Sequence, residues 1–184
     1  RPMNEIQAWV APQTLDEAKA LASVIAASEL AGPHRGQPAN VLMCMLVSNQ
    51  IQVGLMQVLQ EVAIINNRPA IWGTLLMELA MRHPKYVDFD CGVTGTGMEM
   101  EGWFTIVYLN GIGEKASYTA RFTMKDAQTA GLIDKKGGIY KLYSADMLIS
   151  RARSRALLRA LPGCTHGLAT KEEMEDAVAS RKST

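Results

Sequence analysis

The sequence predicts an α+β fold: a small antiparallel β-meander and a β-hairpin packed with several helices, one of them long and basic. Three observations carry this. Apolar residues recur at helical spacing before residue 50, three alternating runs between residues 86 and 123 are separated by short glycine-containing turns, and a cation-rich stretch after residue 144 returns to helical spacing. At 184 residues, 48% hydrophobic and 20% charged, the composition is that of a globular chain. The expected organisation is an N-terminal arm over residues 1–13, one core domain over 14–168, and a C-terminal helix and tail over 169–184.

Within the arm, Trp9 is the expected anchor. Thr14-Leu15-Asp16-Glu17 has capping-box spacing and predicts a helix to about Ser28, with Leu15, Ala18, Leu21, Ala22 and Ile25 on one face. Ala31 to Pro38 reads as a loop. Pro38 suits the first position of a second helix to about Asn49, apolar at Val41, Leu42, Met45 and Leu46. After Gly54 a short helix, Met56 to Glu61, leads into two β-type runs around Asn66-Asn67, a hairpin because Asn tolerates positive φ. Pro69 assigns the second run to a sheet edge. A helix over Gly73 to Arg82 is apolar at Leu75, Leu76, Leu79 and Ala80.

Tyr86 to Thr94, Gly102 to Leu109 and Lys115 to Thr123 alternate and are rich in β-branched and aromatic residues, so they read as three sequential strands. Thr123 resembles an N-cap for a short helix, Lys125 to Ala130. Ser144 is the expected cap of a long helix, about Ala145 to Leu161, stopped by Pro162-Gly163. A last acidic helix is expected over Lys171 to Ser180.

The segment Lys135 to Arg159 carries three Lys and four Arg against one acid, Asp146, in a protein whose net charge is only +1. Arg151, Arg155 and Arg159 fall within about 80° on a helical wheel and step by roughly 6 Å along the axis, near the phosphate repeat of an extended single strand. Ile149, Ala152, Ala156 and Ala160 form a neighbouring small apolar face suited to packing on a sheet. Arg153 points elsewhere, toward a subunit contact or a buried acid. Lys135, Lys136 and Lys141 arrive from the Gly137-Gly138 loop. Of Tyr140 and Tyr143, spaced by three, one is expected in the core and one in a groove; Tyr140 is assigned to base stacking. Cations that track phosphates beside rings that stack on bases are what a single-strand nucleic-acid groove requires. The competing reading is an ordinary solvated helix face. Acids at i±4 that would lace such a face are missing, which favours the groove.

Other chemistries find little support. Cys44, Cys91 and Cys164 are scattered, and His34, His83 and His166 add no zinc spacing, so reduced thiols are expected, with Cys44 in the core. Asp88 and Asp90 share a strand face without a third ligand. No P-loop, nucleophile elbow or HExxH motif occurs, so no enzyme activity and no cofactor are expected. No run approaches the roughly 18 apolar residues of a membrane span. Arg1-Pro2-Met3-Asn4-Glu5 lacks the apolar core of a signal peptide, with Met3 the expected start. The high count of eleven methionines suits a pliable core or a subunit contact.

Two long segments are similar to the RecT/Redβ group of phage single-strand annealing proteins. One is Ala130 to Leu148 followed by Arg151-Ala152-Arg153-Ser154-Arg155-Ala156-Leu157. The other joins Gly36-Gln37-Pro38-Ala39-Asn40 to Val53 through Gly73, including Ile65-Asn66-Asn67-Arg68-Pro69-Ala70-Ile71-Trp72-Gly73. The similarity runs in order over about residues 14 to 168. It departs at Ile139-Tyr140, where the family has Trp; at Ser144, where Pro is usual; at Asp146, where a base is common; and at Leu158-Arg159. The resemblance implies single-stranded DNA binding by Lys135, Lys136, Tyr140, Lys141, Arg151, Arg153, Arg155 and Arg159. It also implies ATP-independent annealing to a duplex, a ring or helical homo-oligomer, and a bacterial cytoplasmic setting with a phage exonuclease or host single-strand-binding protein as partner. With little chain after the last helix, no separate partner-docking domain is expected. The alternative is a self-assembling phage scaffold whose basic helix pairs the acids of Lys171 to Ser180 on a neighbour. A cytosolic enzyme acting on a phosphorylated small substrate is a third reading, for which no base or nucleophile is apparent.

Overall fold

The computed structural model describes residues 12–133 and 138–174, and the chain divides into two compact units, Arg1–Pro69 and Ala70–Thr184. The expected Trp9 anchor and the part of the acidic helix beyond residue 174 lie outside the described residues. The fold is α+β.

The first unit is mainly helical. Helix α1 (Leu15–Ala27) starts at the expected capping box: the Thr14 hydroxyl accepts from the Glu17 N–H at 3.2 Å, and the Glu17 carboxylate accepts from the Thr14 N–H. Its buried face is set by Ala22 and Ala26, whereas Leu15, in the first turn, is exposed. A 3₁₀ turn, Glu29–His34, replaces the expected loop; buried His34 donates from Nε2 to the Val62 carbonyl at 2.7 Å and fixes it. Helix α2 (Pro38–Ile51) begins at Pro38 as expected. Its buried row is Val41, Cys44, Val47 and Ile51, and Leu46 of the expected face is exposed. Helix α3 (Leu55–Glu61) leads into β1 (Val62–Ile65). Asn66 and Asn67 both take positive φ, 51° and 59°, the requirement of the tight turn that the sequence announced. Strand β2 (Arg68–Ile71) follows.

In the second unit, Ala70 and Ile71 of β2 pair in parallel with β6 (Ala169–Thr170). The edge assignment is thereby corrected: the pairing uses the residues just past Pro69, which has no N–H to give. Helix α4 (Thr74–Met81) buries the four expected residues, Leu75, Leu76, Leu79 and Ala80. Strands β3 (Tyr86–Thr94), β4 (Glu101–Leu109) and β5 (Lys115–Thr123) form an antiparallel sheet in that order. Alternation sends Phe104, Ile106, Ala120 and Phe122 to the buried face, while Thr105 and Thr119 meet at 2.7 Å on the other. The turn before β5 is closed by the Asn110 carboxamide oxygen, which accepts from the Ile112 and Glu114 N–H groups. Helix α5 (Met124–Thr129) carries a full capping box between Thr123 and Asp126.

Two helices end the unit's framework: α6 (Ile139–Leu142), a single turn where a loop was expected, and α7 (Ser144–Ala160). Ser144 is not the cap. It is the first helical residue, and its hydroxyl donates back to the Tyr140 carbonyl at 2.6 Å. Helix α7 lies directly on the sheet at Gly102: a Cβ there would sit 2.5 Å from the Leu148 carbonyl carbon and 2.6 Å from the Ile149 nitrogen. Ala152, Ala156 and Ala160 are buried, so the small apolar face packs as its residue sizes require.

Candidate nucleic-acid interface

Helix α7 presents three well-exposed side chains, Asp146, Arg155 and Arg159. The expected row of three exposed arginines is therefore corrected to two. Arg151, one turn earlier, is only 2% exposed. Its guanidinium carbon lies 5.8 Å from the centroid of the Phe122 ring, and Nη1 donates to the Glu172 carbonyl at 3.4 Å. The reason is the tilt of the row. Position 151 turns toward the β5 edge, where Phe122 projects and the segment after β6 closes over it.

Arg155 shares that ring from the solvent side, with its guanidinium carbon 4.6 Å from the Phe122 centroid. Its charge reaches α5. The Asp126 carboxyl is held below the usual carboxylate range, first by the Thr123 backbone N–H at 2.9 Å, then by the Thr123 hydroxyl, with Arg155 and Lys125 adding attraction. Asp126 is thus spent on its cap. Among the described residues, neither Arg155 nor Arg159 has a carboxylate within ion-pairing distance. The exposed Lys125 on α5 belongs to the same positive field. The sequence reading named Lys125 only as the start of a short helix; the Thr123-to-Asp126 cap spacing was the available signal that the neighbouring acid is occupied.

Arg153 is half-buried, with Nη2 3.4 Å from the Ser150 hydroxyl, so it stands apart from the exposed pair, as its helical angle implied. Lys141 is exposed. Lys135 and Lys136 lie outside the described residues. The assignment of Tyr140 to stacking is corrected: that ring is 5% exposed, whereas Tyr143 is 62% exposed beside Leu142. Gly138, at φ 57°, turns the chain into α6 and drives position 140 inward. A spacing of three left both tyrosines open, and nothing in the sequence fixed the phase of so short a helix.

A second aromatic–cation pair lies near β6: Lys171 Nζ is 4.5 Å from the centroid of Trp72, a ring 39% exposed. Among the described residues no group of three or more His, Cys, Asp or Glu is placed to hold a metal ion. No single helix among them is long and apolar enough to cross a membrane. Comparison with family models, curated proteins and solved structures finds no match to this chain.

Proposed function

We propose that this protein binds single-stranded DNA and anneals it to a complementary strand without ATP, as a member of the RecT/Redβ group acting in the cytoplasm of a bacterial host. The observation that carries the reading is the exposed pair Arg155 and Arg159, four residues apart on α7 and without carboxylate partners among the described residues. Guanidinium groups in that state, beside Lys125, are matched to phosphates spaced along one strand. Lys141 and the exposed Tyr143 extend the surface at the start of α7. Backbone contacts of this type leave base edges free, which is the condition for a second strand to pair. So few cations per protomer give weak binding alone, so annealing requires several protomers on one strand. A phage exonuclease or a host single-strand-binding protein is the partner this role implies.

The test is fluorescence anisotropy with a labelled oligonucleotide at two or more salt concentrations, followed by annealing of two complementary oligonucleotides. Binding should weaken with salt, and Arg155→Ala with Arg159→Ala should flatten the log–log slope by about 0.7 per lost phosphate contact. Salt-independent or undetectable binding would overturn the proposal.

One observation favours a second reading, self-assembly as a scaffold. Val24, Leu30, Met43, Leu46 and Met56 in the first unit are exposed apolar side chains. Assembly with no oligonucleotide binding would select it.

A further inference from the structure

Arg151 belongs by sequence spacing to the same row as Arg155 and Arg159, yet it lies under a short segment of its own chain. That segment is short. Strand β6 pairs over two residues only. Thr170 and Glu173 then form a reciprocal cap: the Glu173 carboxylate accepts from the Thr170 N–H at 2.9 Å, and the Thr170 hydroxyl accepts from the Glu173 N–H at 3.3 Å. This starts the helical turn Lys171 to Met174. Lys171 leans on Trp72, Met174 is buried, and the Glu172 carboxylate accepts from the Ser150 hydroxyl at 3.1 Å. Among the described residues the second oxygen of Glu172 is buried without a hydrogen-bond partner, an unfavourable state for a carboxylate and one relieved on exposure to water.

Resting on the single-strand reading above, we infer that residues 169–174 are a removable cover over Arg151, which is a further phosphate-binding position of the same groove. The segment places oxygen acceptors on α7 where phosphate oxygens would sit: a carbonyl oxygen on the Arg151 guanidinium and a carboxylate oxygen one residue away at Ser150. When it lifts, Arg151 joins Arg155 and Arg159 in a row stepping by roughly 6 Å from one arginine to the next. A strand competes with the cover for the same cations, so it binds the uncovered form more tightly and shifts the population toward it. The two-residue pairing of β6 and the Glu172 oxygen that regains water on opening both favour local opening of this segment.

The experiment loosens the cover without touching the arginines. Lys171→Ser with Met174→Ser in the full chain removes the Trp72 contact and the buried methionine. It also removes one positive charge, so simple electrostatics predicts weaker binding to a labelled oligothymidylate. The cover predicts tighter binding, by several-fold, with a salt slope steeper by about 0.7 for the added phosphate contact. Equal or weaker binding by a folded variant overturns the cover while leaving the single-strand reading intact. No binding by either protein overturns both. Should the variant fail to fold, hydrogen exchange on the wild-type chain decides. Added oligonucleotide must lower protection of residues 169–174 while raising it around Arg155, and unchanged protection of 169–174 overturns the inference.

Discussion

Gly102→Ala tests the seating of the basic helix on its sheet. The substituted methyl would meet backbone atoms of α7 at 2.5 and 2.6 Å and the Leu148 Cβ at 2.6 Å. Ordinary contacts between such atoms are about 3.5–4.0 Å, so the helix must withdraw by roughly 1 Å. A gap of that size forfeits about a quarter to a half of each dispersion contact along the interface between the helix, with Leu148, Ala152 and Ala156 buried, and the sheet, with Phe104 and Phe122 buried. Overpacking of this kind costs about 1–3 kcal/mol, and contact with main chain places this case near about 3. Replacing glycine returns about 0.5 kcal/mol by restricting the unfolded chain, leaving a net loss of about 2.5 kcal/mol. Urea denaturation followed by protection of the buried Cys164 thiol reads the second unit directly. At a slope of about 2 kcal/mol/M, the midpoint should fall by about 1 M. Gly92→Ala is the control, since its methyl meets only the Trp103 side chain, nearest atom 2.8 Å away, and that half-exposed ring has room to turn. A Gly102→Ala protein as stable as wild type would refute close seating of α7 on β4.

Three further outcomes follow from the same geometry. Arg151→Glu should destabilise the second unit by about 1–3 kcal/mol, because it places a carboxylate beside the Glu172 carbonyl unless residues 169–174 lift; thermal unfolding checks this. A thiol reagent at neutral pH should modify Cys91 quickly and Cys44 and Cys164 slowly, since burial pushes both of the latter up to about 11, and three fast thiols would contradict the packing. Asp126 has a depressed native pKa, so its contribution to stability is fully present above the ordinary carboxylate value and is lost as pH falls through the native value. A carboxyl-carbon NMR titration should place it low, and Thr123→Ala should raise it more than Arg155→Ala, because it removes the Thr123 hydroxyl bond, which outweighs the Arg155 attraction, while the leading Thr123 N–H bond stays in both.

Where local chemistry alone decides the structure, the sequence was sufficient. Thr14 and Glu17, Asn66-Asn67 and Pro38 set caps, turns and starts through their own side chains or φ preferences, and β3 and β5 match the alternating runs end for end. Facing was harder. Val41, Leu42, Met45 and Leu46 form a helical row, yet α2 buries Val41, Cys44, Val47 and Ile51, because in a helix apolar nearly all round the neighbours choose the buried stripe.

The same limit applies to the candidate interface. A helical wheel fixes the angles between Arg151, Arg155 and Arg159 but not the angle of the wheel against the sheet. That angle is set by Gly102, which admits Leu148 and Ile149 to the strand surface and so rotates position 151 toward Phe122. Gly102 is forty-nine positions from Arg151 and carries no charge, so no reading confined to the basic segment locates it as the residue that sorts the arginines. Enlarging Gly102 and loosening residues 169–174 therefore act on one arginine from opposite sides. The first moves the helix that carries Arg151, the second removes what covers it. Stability separates from DNA affinity in these two variants only if Arg151 does both jobs, packing when covered and binding phosphate when not. If the loosened variant loses stability without gaining affinity, Arg151 is a packing residue alone, and the groove is confined to the cations already exposed.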